Sequence, residues 1–213
     1  KLIFIFDFDG TIVNSYDTVF NLYNSLAPSL NMPTIDNKLR EPIKNAHYKT
    51  ILRLLGHHVI KLPKLTQALK QALQKQIQHI PPCEHMPETL ATLYQQPIDL
   101  FILSSNSRAT IHHFIQQHQL NFFNAIIEVP SLTGKARAIK KTLTQYALDP
   151  AYTYYIGDEV RDIDAAHSAG IHSIAVTWGY NSSTCLQRQH PHHLIQHPHE
   201  LLTLTATLSP PLA

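Results

Sequence analysis

The chain opens on five unbroken apolar residues, Leu2-Ile3-Phe4-Ile5-Phe6, turns acidic at Asp7 and Asp9, and enters a Gly10-Thr11 turn. An apolar run of this kind predicts a strand buried on both faces, as inside a parallel sheet. Beyond Thr11 the pattern becomes helical, with Ile12, Tyr16, Val19, Phe20 and Tyr23 on one apolar face. A break between Pro28 and Pro33 is followed by a mixed segment over 38–55, with Gly56 as a helix stop. Leu65, Leu69, Leu73, Ile77 and Ile80 then recur at helical spacing, with Lys70 and Lys75 outside, until Pro81 and Pro82 end the run. No strand is predicted between Ile12 and Pro82.

From His85 onward the pattern alternates. Helices are predicted over 87–95, 108–119, 135–146 and 162–169, the last closed by Gly170, and strands over 98–103, 125–129, 153–156 and 173–177. Such alternation means βαβ units and an α/β fold whose parallel sheet is covered on both faces. The all-helical block over 13–83 is then an insertion directly after the first strand.

Composition narrows the class. The chain has 213 residues, 44% apolar and 15% charged, which suits a folded protein and excludes disorder. Net charge is +2 with histidine neutral and no basic run occurs, so no nucleic-acid partner is expected. No stretch approaches the roughly 20 apolar residues that span a bilayer. The opening run is too short for a signal-peptide core, which leaves the cytoplasm as the default compartment. The chain begins at Lys1, so its true start is open. Cys83 and Cys185 form no C-x-x-C pattern and are read as two reduced thiols. Histidines 190, 192, 193, 197 and 199 match no zinc spacing, are interrupted by Pro191 and Pro198, and are read as surface composition.

In open α/β sheets, ligands sit outside the carboxyl ends of the strands. The first strand delivers Asp7 and Asp9 there, and the second Ser104-Ser105-Asn106-Ser107 just before a helix. The third leads to Thr133-Gly134-Lys135, a lone cation opening a helix, and the fourth to Gly157-Asp158-Glu159-Val160-Arg161-Asp162. Crowded carboxylates repel and are costly to bury, and a divalent cation held by oxygens relieves that cost. Small hydroxyls and free N–H groups at a helix start hold an anion. This inventory fits phosphoryl transfer: a carboxylate nucleophile, a proton shuttle, a divalent cation and a clamp on phosphoryl oxygens.

On these residues the chain resembles the haloacid dehalogenase superfamily, in its helical-capped, phosphoglycolate-phosphatase-like branch. Phe6-Asp7-Phe8-Asp9-Gly10-Thr11 matches the first motif of that family, and Leu103-Ser104-Ser105-Asn106 the second. Lys135 matches the third, and Gly157-Asp158-Glu159-Val160-Arg161-Asp162 the fourth. The resemblance covers essentially the whole chain. It implies a Rossmann-like core formed by 1–12 and 84–213, with 13–83 as an inserted α-helical cap subdomain. It also implies a Mg²⁺-dependent phosphatase acting on a small phosphorylated metabolite. Asp7 would be the nucleophile that becomes an aspartyl-phosphate, and Asp9 the acid and base. Ser105 Oγ and the Asn106 N–H would grip the phosphoryl oxygens, with Lys135 neutralising charge. Asp7, the backbone carbonyl of Asp9, and Asp158 would hold Mg²⁺. Asp162 would orient Lys135 or a metal-bound water, with Glu159 ranked below it.

Asn14 departs from the aspartate common in relatives, which bears on the cap hinge. Arg40, His47, Lys49 and Arg53 are candidates for a substrate carboxylate, and Trp178-Gly179-Tyr180 for the pocket edge. A phosphomutase on the same core, and a phosphate-binding module without turnover, remain the alternatives. Oligomeric state stays open.

Overall fold

The computed structural model describes residues 1–129 and 134–208, apart from the side chains of 54–57. Strand β1 (Leu2–Phe6) leads into the helices α1 (Tyr16–Leu26), α2 (Arg40–Lys44), α3 (Tyr48–Leu55) and α4 (Leu62–Gln76). The chain then alternates through α5 (Met86–Tyr94), β2 (Ile98–Ser104), α6 (Arg108–Gln117), β3 (Ala125–Glu128), α7 (Lys135–Gln145) and β4 (Thr153–Gly157). It ends with α8 (Val160–Ala169), β5 (His172–Val176), α9 (Ser183–Gln187), β6 (His193–Ile195) and α10 (Glu200–Leu208).

All described strand pairs are parallel, in the order β3-β2-β1-β4-β5-β6. β1 therefore lies between β2 and β4, where the strand order reverses, and that is where such sheets open a crevice. Its five residues are all buried, and their alternation feeds two cores. Leu2, Phe4 and Phe6 pack with Leu90 and Leu93 of α5, Ile111 and Phe114 of α6 and Leu201 of α10. Ile3 and Ile5 pack on the other face with Ile139 and Leu143 of α7 and Ala165 and Ala166 of α8. Edge-on ring contacts from Phe4 to Phe6 and Tyr154 stiffen the first of these.

The inserted helices keep a small core of their own, Ala27, Met32 and Leu65, with Tyr23, Leu26 and Leu30 against it. Their two connections to the sheet run side by side. Val13 pairs antiparallel with Pro82, Asn14 N donates to the Pro81 carbonyl at 3.0 Å, and Cys83 N to that of Ile12 at 2.8 Å. The insertion thus enters and leaves through one hydrogen-bonded neck, with Asn14 exposed beside it.

Several expectations shift. Ile12 lies in the turn, not on α1, because its backbone N–H bonds back to the Phe8 carbonyl at 2.9 Å and its side chain joins the sheet core. Gly56 does end α3, but a 3₁₀ turn (Gly56–Lys61) carries the chain straight into α4. β6, α9 and α10 were not expected. β6 is three residues long, below the length at which alternation is readable, and it stands amid the histidines assigned to the surface. Thr133 lies outside the described residues. Cys83 and Cys185 are buried free thiols. Among the described residues no helix is long and apolar enough to cross a membrane.

Four histidines meet where β5, β6 and α8 join. His192 Nδ1 faces Ser173 Oγ at 3.1 Å, with the His172 ring 4.7 Å and the His167 ring 5.4 Å from it. Burial, then the neighbouring His172, lowers the pKa of both His192 and His193 below the usual 6.5. A histidine depressed on folding takes up its proton more readily when unfolded, so its contribution is present above the unfolded value and is lost as pH falls through about 6.5. The buried carboxylates described below push the other way. We therefore expect the drop in thermal midpoint between pH 8 and 5.5 to be smaller in His192→Asn than in wild type, as read by circular dichroism melts.

Candidate active site

The carboxyl ends of β1 and β4 deliver the acidic residues to the central crevice. Asp7 follows β1 directly, its backbone N–H donating to the Ile156 carbonyl of β4 at 2.8 Å. Asp158 follows β4, and Asp162 sits in the first turn of α8. Asp7, Asp158 and Asp162 are all buried, and one carboxyl oxygen from each lies within 4.8 Å of the others. Three carboxylates so placed are untenable without compensation, since burial and mutual repulsion both disfavour their charge.

Lys135 supplies part of it. It opens α7, is itself buried, and donates from Nζ to Asp7 Oδ2 at 2.8 Å and to Asp162 Oδ1 at 2.5 Å. Its ammonium also stands 5.2 Å from the centre of the Tyr155 ring, whose hydroxyl is tied to the Leu103 carbonyl at 2.8 Å. Burial alone would lower the lysine pKa, but Asp162 and Asp7 outweigh it and hold the ammonium well above the ordinary value. Asp162 is pushed up to about 6, first by burial and against the pull of Lys135. Its other oxygen accepts from the Glu159 N–H at 3.0 Å, which ties the acidic loop to its own helix.

Asp158 is oriented from three sides. Thr11 Oγ1 donates to Oδ1 at 2.7 Å and the Tyr180 N–H to Oδ2 at 2.7 Å. Gly10, at φ +75°, and Gly179 lie so close that an added Cβ would stand 2.3 and 2.2 Å from Asp158 Oδ2. Glycine is required at both by this approach, and at Gly10 by the backbone angle as well. Burial, with Glu159, Asp162 and Asp7 nearby, raises the Asp158 pKa well above the carboxylate range.

Asp9 stands apart from the other three. Its Oδ2 accepts from Asn106 Nδ2 at 3.2 Å, while Oδ1 is sealed from solvent without a partner. Burial and the Asp7 charge raise its pKa to about 6. Ser105 is half-buried at the end of β2. The Asn106 N–H donates to Ser104 Oγ at 3.1 Å, and Ser107 caps α6 through the Thr110 N–H at 3.1 Å. Asp7 with Lys135, Asp158 and Asp162, and Asp9 with Asn106, thus come together from all four segments. Glu159 is the exception among the acids: its carboxylate is taken by Arg161.

The match to a family model for haloacid dehalogenase-like hydrolases runs over residues 4–176, which span every one of these segments. The chain belongs to that family. A phosphoglycolate phosphatase from Synechococcus elongatus is 32% identical over 205 residues, 96% of this chain and 97% of that protein. Among solved structures, the haloacid dehalogenase-like protein SP0104 from Streptococcus pneumoniae has a TM-score of 0.75 at 22% identity, covering 95% of this chain and 97% of that one. A predicted phosphatase from Clostridium acetobutylicum has a TM-score of 0.79 at 18% identity, covering 97% and 98%. These two likenesses are of fold.

Within this hydrolase frame, contacts invisible in the sequence join the inserted helices to the acidic loop. The Lys44 carbonyl, at the end of α2, accepts from the Ser182 N–H at 2.9 Å and from Asn181 Nδ2 at 3.1 Å. Asn181 Oδ1 in turn accepts from the Val160 N–H at 2.9 Å, and its own N–H donates to the Asp158 carbonyl at 3.2 Å. Tyr180 meets Ser15 Oγ at 3.1 Å and the Tyr16 ring edge-on at 5.3 Å, with Lys44 Nζ 4.2 Å from the centre of that ring. Trp178 Nε1 donates to the Thr11 carbonyl at 3.1 Å. The signal for this loop was the Trp178-Gly179-Tyr180 run after β5. The cationic candidates on the insertion have local partners: Arg40 pairs with Asp17, His47 stacks on Tyr48 at 4.6 Å, and Lys49 lies 5.7 Å from the Tyr48 ring. Arg53 is exposed.

Replacing Lys135 removes the ammonium but leaves two buried carboxylates facing each other. Lys135→Met is expected to lose about 3–5 kcal/mol of stability at pH 7. The loss should shrink at pH 5, where the Asp162 carboxyl, raised to about 6, can protonate. Urea unfolding at the two pH values measures both.

Proposed function

We propose that this hydrolase is a Mg²⁺-dependent phosphatase that cleaves the phosphate monoester of a small metabolite, phosphoglycolate-like, through an aspartyl-phosphate on Asp7. The carrying observation is the meeting of buried Asp7 and its Lys135 partner with Asp9, whose carboxyl is raised to about 6. One carboxyl is paired with an ammonium, and its neighbour, raised to about 6, is poised to carry a proton near neutrality. Such a divergence is what separates a nucleophile from an acid and base. The substrate class is suggested by the phosphoglycolate phosphatase of Synechococcus elongatus.

The donor set suits a hard cation. Three buried carboxylates supply oxygens within reach of one another, and the two cations present, Lys135 and Arg161, are outnumbered by Asp7, Asp9, Asp158, Glu159 and Asp162. Asp7, Asp158 and the Asp9 carbonyl would hold Mg²⁺, with Asp162 shared between Lys135 and a metal-bound water. The ion would supply charge neutralisation at the phosphoryl group.

In the first step the Asp7 carboxylate attacks phosphorus, the ester P–O bond breaks, and Asp9 gives its proton to the leaving alkoxide. In the second, Asp9 takes a proton from water as that water attacks phosphorus, and the bond to Asp7 breaks to release phosphate. Lys135 offsets charge on the Asp7 side, while Ser105 Oγ and the start of α6 face the phosphoryl oxygens. The Asn106 N–H would have to exchange its Ser104 partner for the ligand. Residues 13–83 act as a cap that covers the crevice and excludes water.

Phosphate release from a panel of phosphomonoesters, with Mg²⁺ or EDTA, tests this reading. Release should require Mg²⁺ and fall by at least ~10³-fold in Asp7→Asn. No release from any panel member would turn the reading toward the mutase or the module without turnover. Gly179→Ala should displace Asp158 while leaving Asp7, Asp9 and Lys135 in place. It is expected to raise the Mg²⁺ concentration for half-maximal activity roughly 10- to 100-fold, measured by metal titration of the initial rate.

A further inference from the structure

Asn181, in the loop after β5, stands between two helix ends that cannot complete their own bonding. The first N–H groups of a helix and its last carbonyls find no partner within it. Val160 opens α8, and its N–H donates to Asn181 Oδ1 at 2.9 Å. Lys44 closes α2, and its carbonyl accepts from Asn181 Nδ2 at 3.1 Å. The side-chain amide carries an acceptor and a donor on one planar group, so these two bonds fix which way it faces. The Asn181 backbone N–H then donates to the Asp158 carbonyl at 3.2 Å. One residue thus joins the insertion, the start of α8 and the backbone of Asp158.

The backbone over 158–162 carries two of the three clustered carboxylates. Thr11 and Tyr180 set the carboxylate of Asp158, while Lys135 and the Glu159 N–H set that of Asp162. Asn181 sets the main chain between them. Bonds in a chain polarise one another, so a firm contact at Lys44 strengthens the acceptor offered to Val160. On the insertion side the contact is widened by the Ser182 N–H, on the same carbonyl at 2.9 Å, and by Ser182 Oγ on Asn45 Oδ1. Asn45 is exposed. Among the described residues it bonds Ser182 and the Glu41 carbonyl, and none of the clustered acids.

We propose that Asn181 is a positioning residue that makes Mg²⁺ binding at Asp158 depend on the docking of the inserted helices. The proposal rests on the metal reading above and adds to it the side chain that carries the dependence. An Asn181 that only capped α8 would hold the acidic loop alike whether the insertion was docked firmly or loosely.

The test compares wild type, Asn45→Ala, Asn181→Ala and the double variant, each as the full chain, by calorimetric titration with Mg²⁺ and by amide hydrogen exchange at Val160. Neither readout needs turnover. Asn181→Ala should weaken Mg²⁺ binding roughly 10-fold and speed exchange at Val160. Asn45→Ala loosens the insertion side alone, and should weaken Mg²⁺ binding about threefold and speed exchange of the same amide. Added to Asn181→Ala, it should change neither by more than about 1.5-fold, because the link is already cut. Wild-type affinity and exchange in Asn45→Ala, or an equal loss from Asn45→Ala in both backgrounds, would each overturn the proposal. Should Asn181→Ala not fold, the single variant Asn45→Ala decides. Wild type that binds no Mg²⁺ would overturn the metal reading and the proposal with it, whereas binding that ignores Asn45→Ala overturns the proposal alone.

Discussion

The Lys135 ammonium held between Asp7 and Asp162 is the interaction on which the active edge of this protein depends. It fixes the end of β1, the start of α7 and the first turn of α8 through two short bonds in a dry environment. A buried ion pair is weak evidence of stability in general, because desolvation can exceed the attraction. Here its consequence is arrangement. With the ammonium present, Asp7 and Asp162 are paired, while Asp9 accepts from Asn106 and is raised to about 6 by burial and the Asp7 charge.

The sheet supplies what this arrangement needs. Because β1 is central and parallel to both neighbours, its carboxyl end opens where the strand order reverses, and chain segments far apart in sequence arrive there together. Close approach is then bought with glycine, Gly179 leaving room for Asp158 and Gly10 for Asp158 and the Tyr180 ring. Thr11 and Tyr180 orient that carboxylate from opposite connections, one after β1 and one after β5. A site assembled this way tolerates little movement in any one loop, since each carboxylate is positioned by residues of another segment.

Most of this frame was readable in the chain. An apolar run such as 2–6 has one reading in an α/β protein, and acids or a lysine placed just past predicted strands or at helix starts point to the crevice. What could not be read was partnership. That Asn181 bonds Lys44, or that Tyr180 holds Asp158, depends on how loops distant in sequence meet, and no local periodicity encodes it. β6 escaped for a different reason: three residues of mixed polarity carry no period, and their strand character comes from the register with Ile174, Ala175 and Val176.

The inserted helices are attached to the core by more than their two connections. Besides the neck at Val13 and Pro82, they meet the rest of the chain through Lys44 and Asn45 with Asn181 and Ser182, through Ser15 and Tyr16 with Tyr180, and through Gln78 with Gln117. The neck is a pair of covalent connections and cannot open. Each hydrogen bond between Lys44, Asn45, Asn181 and Ser182 is worth about 1 kcal/mol net. Asn181 bonds the Lys44 carbonyl and, with the same side chain, the first N–H of α8 beside Arg161 and Asp162. One amide side chain thus ties the inserted helices to the acidic loop.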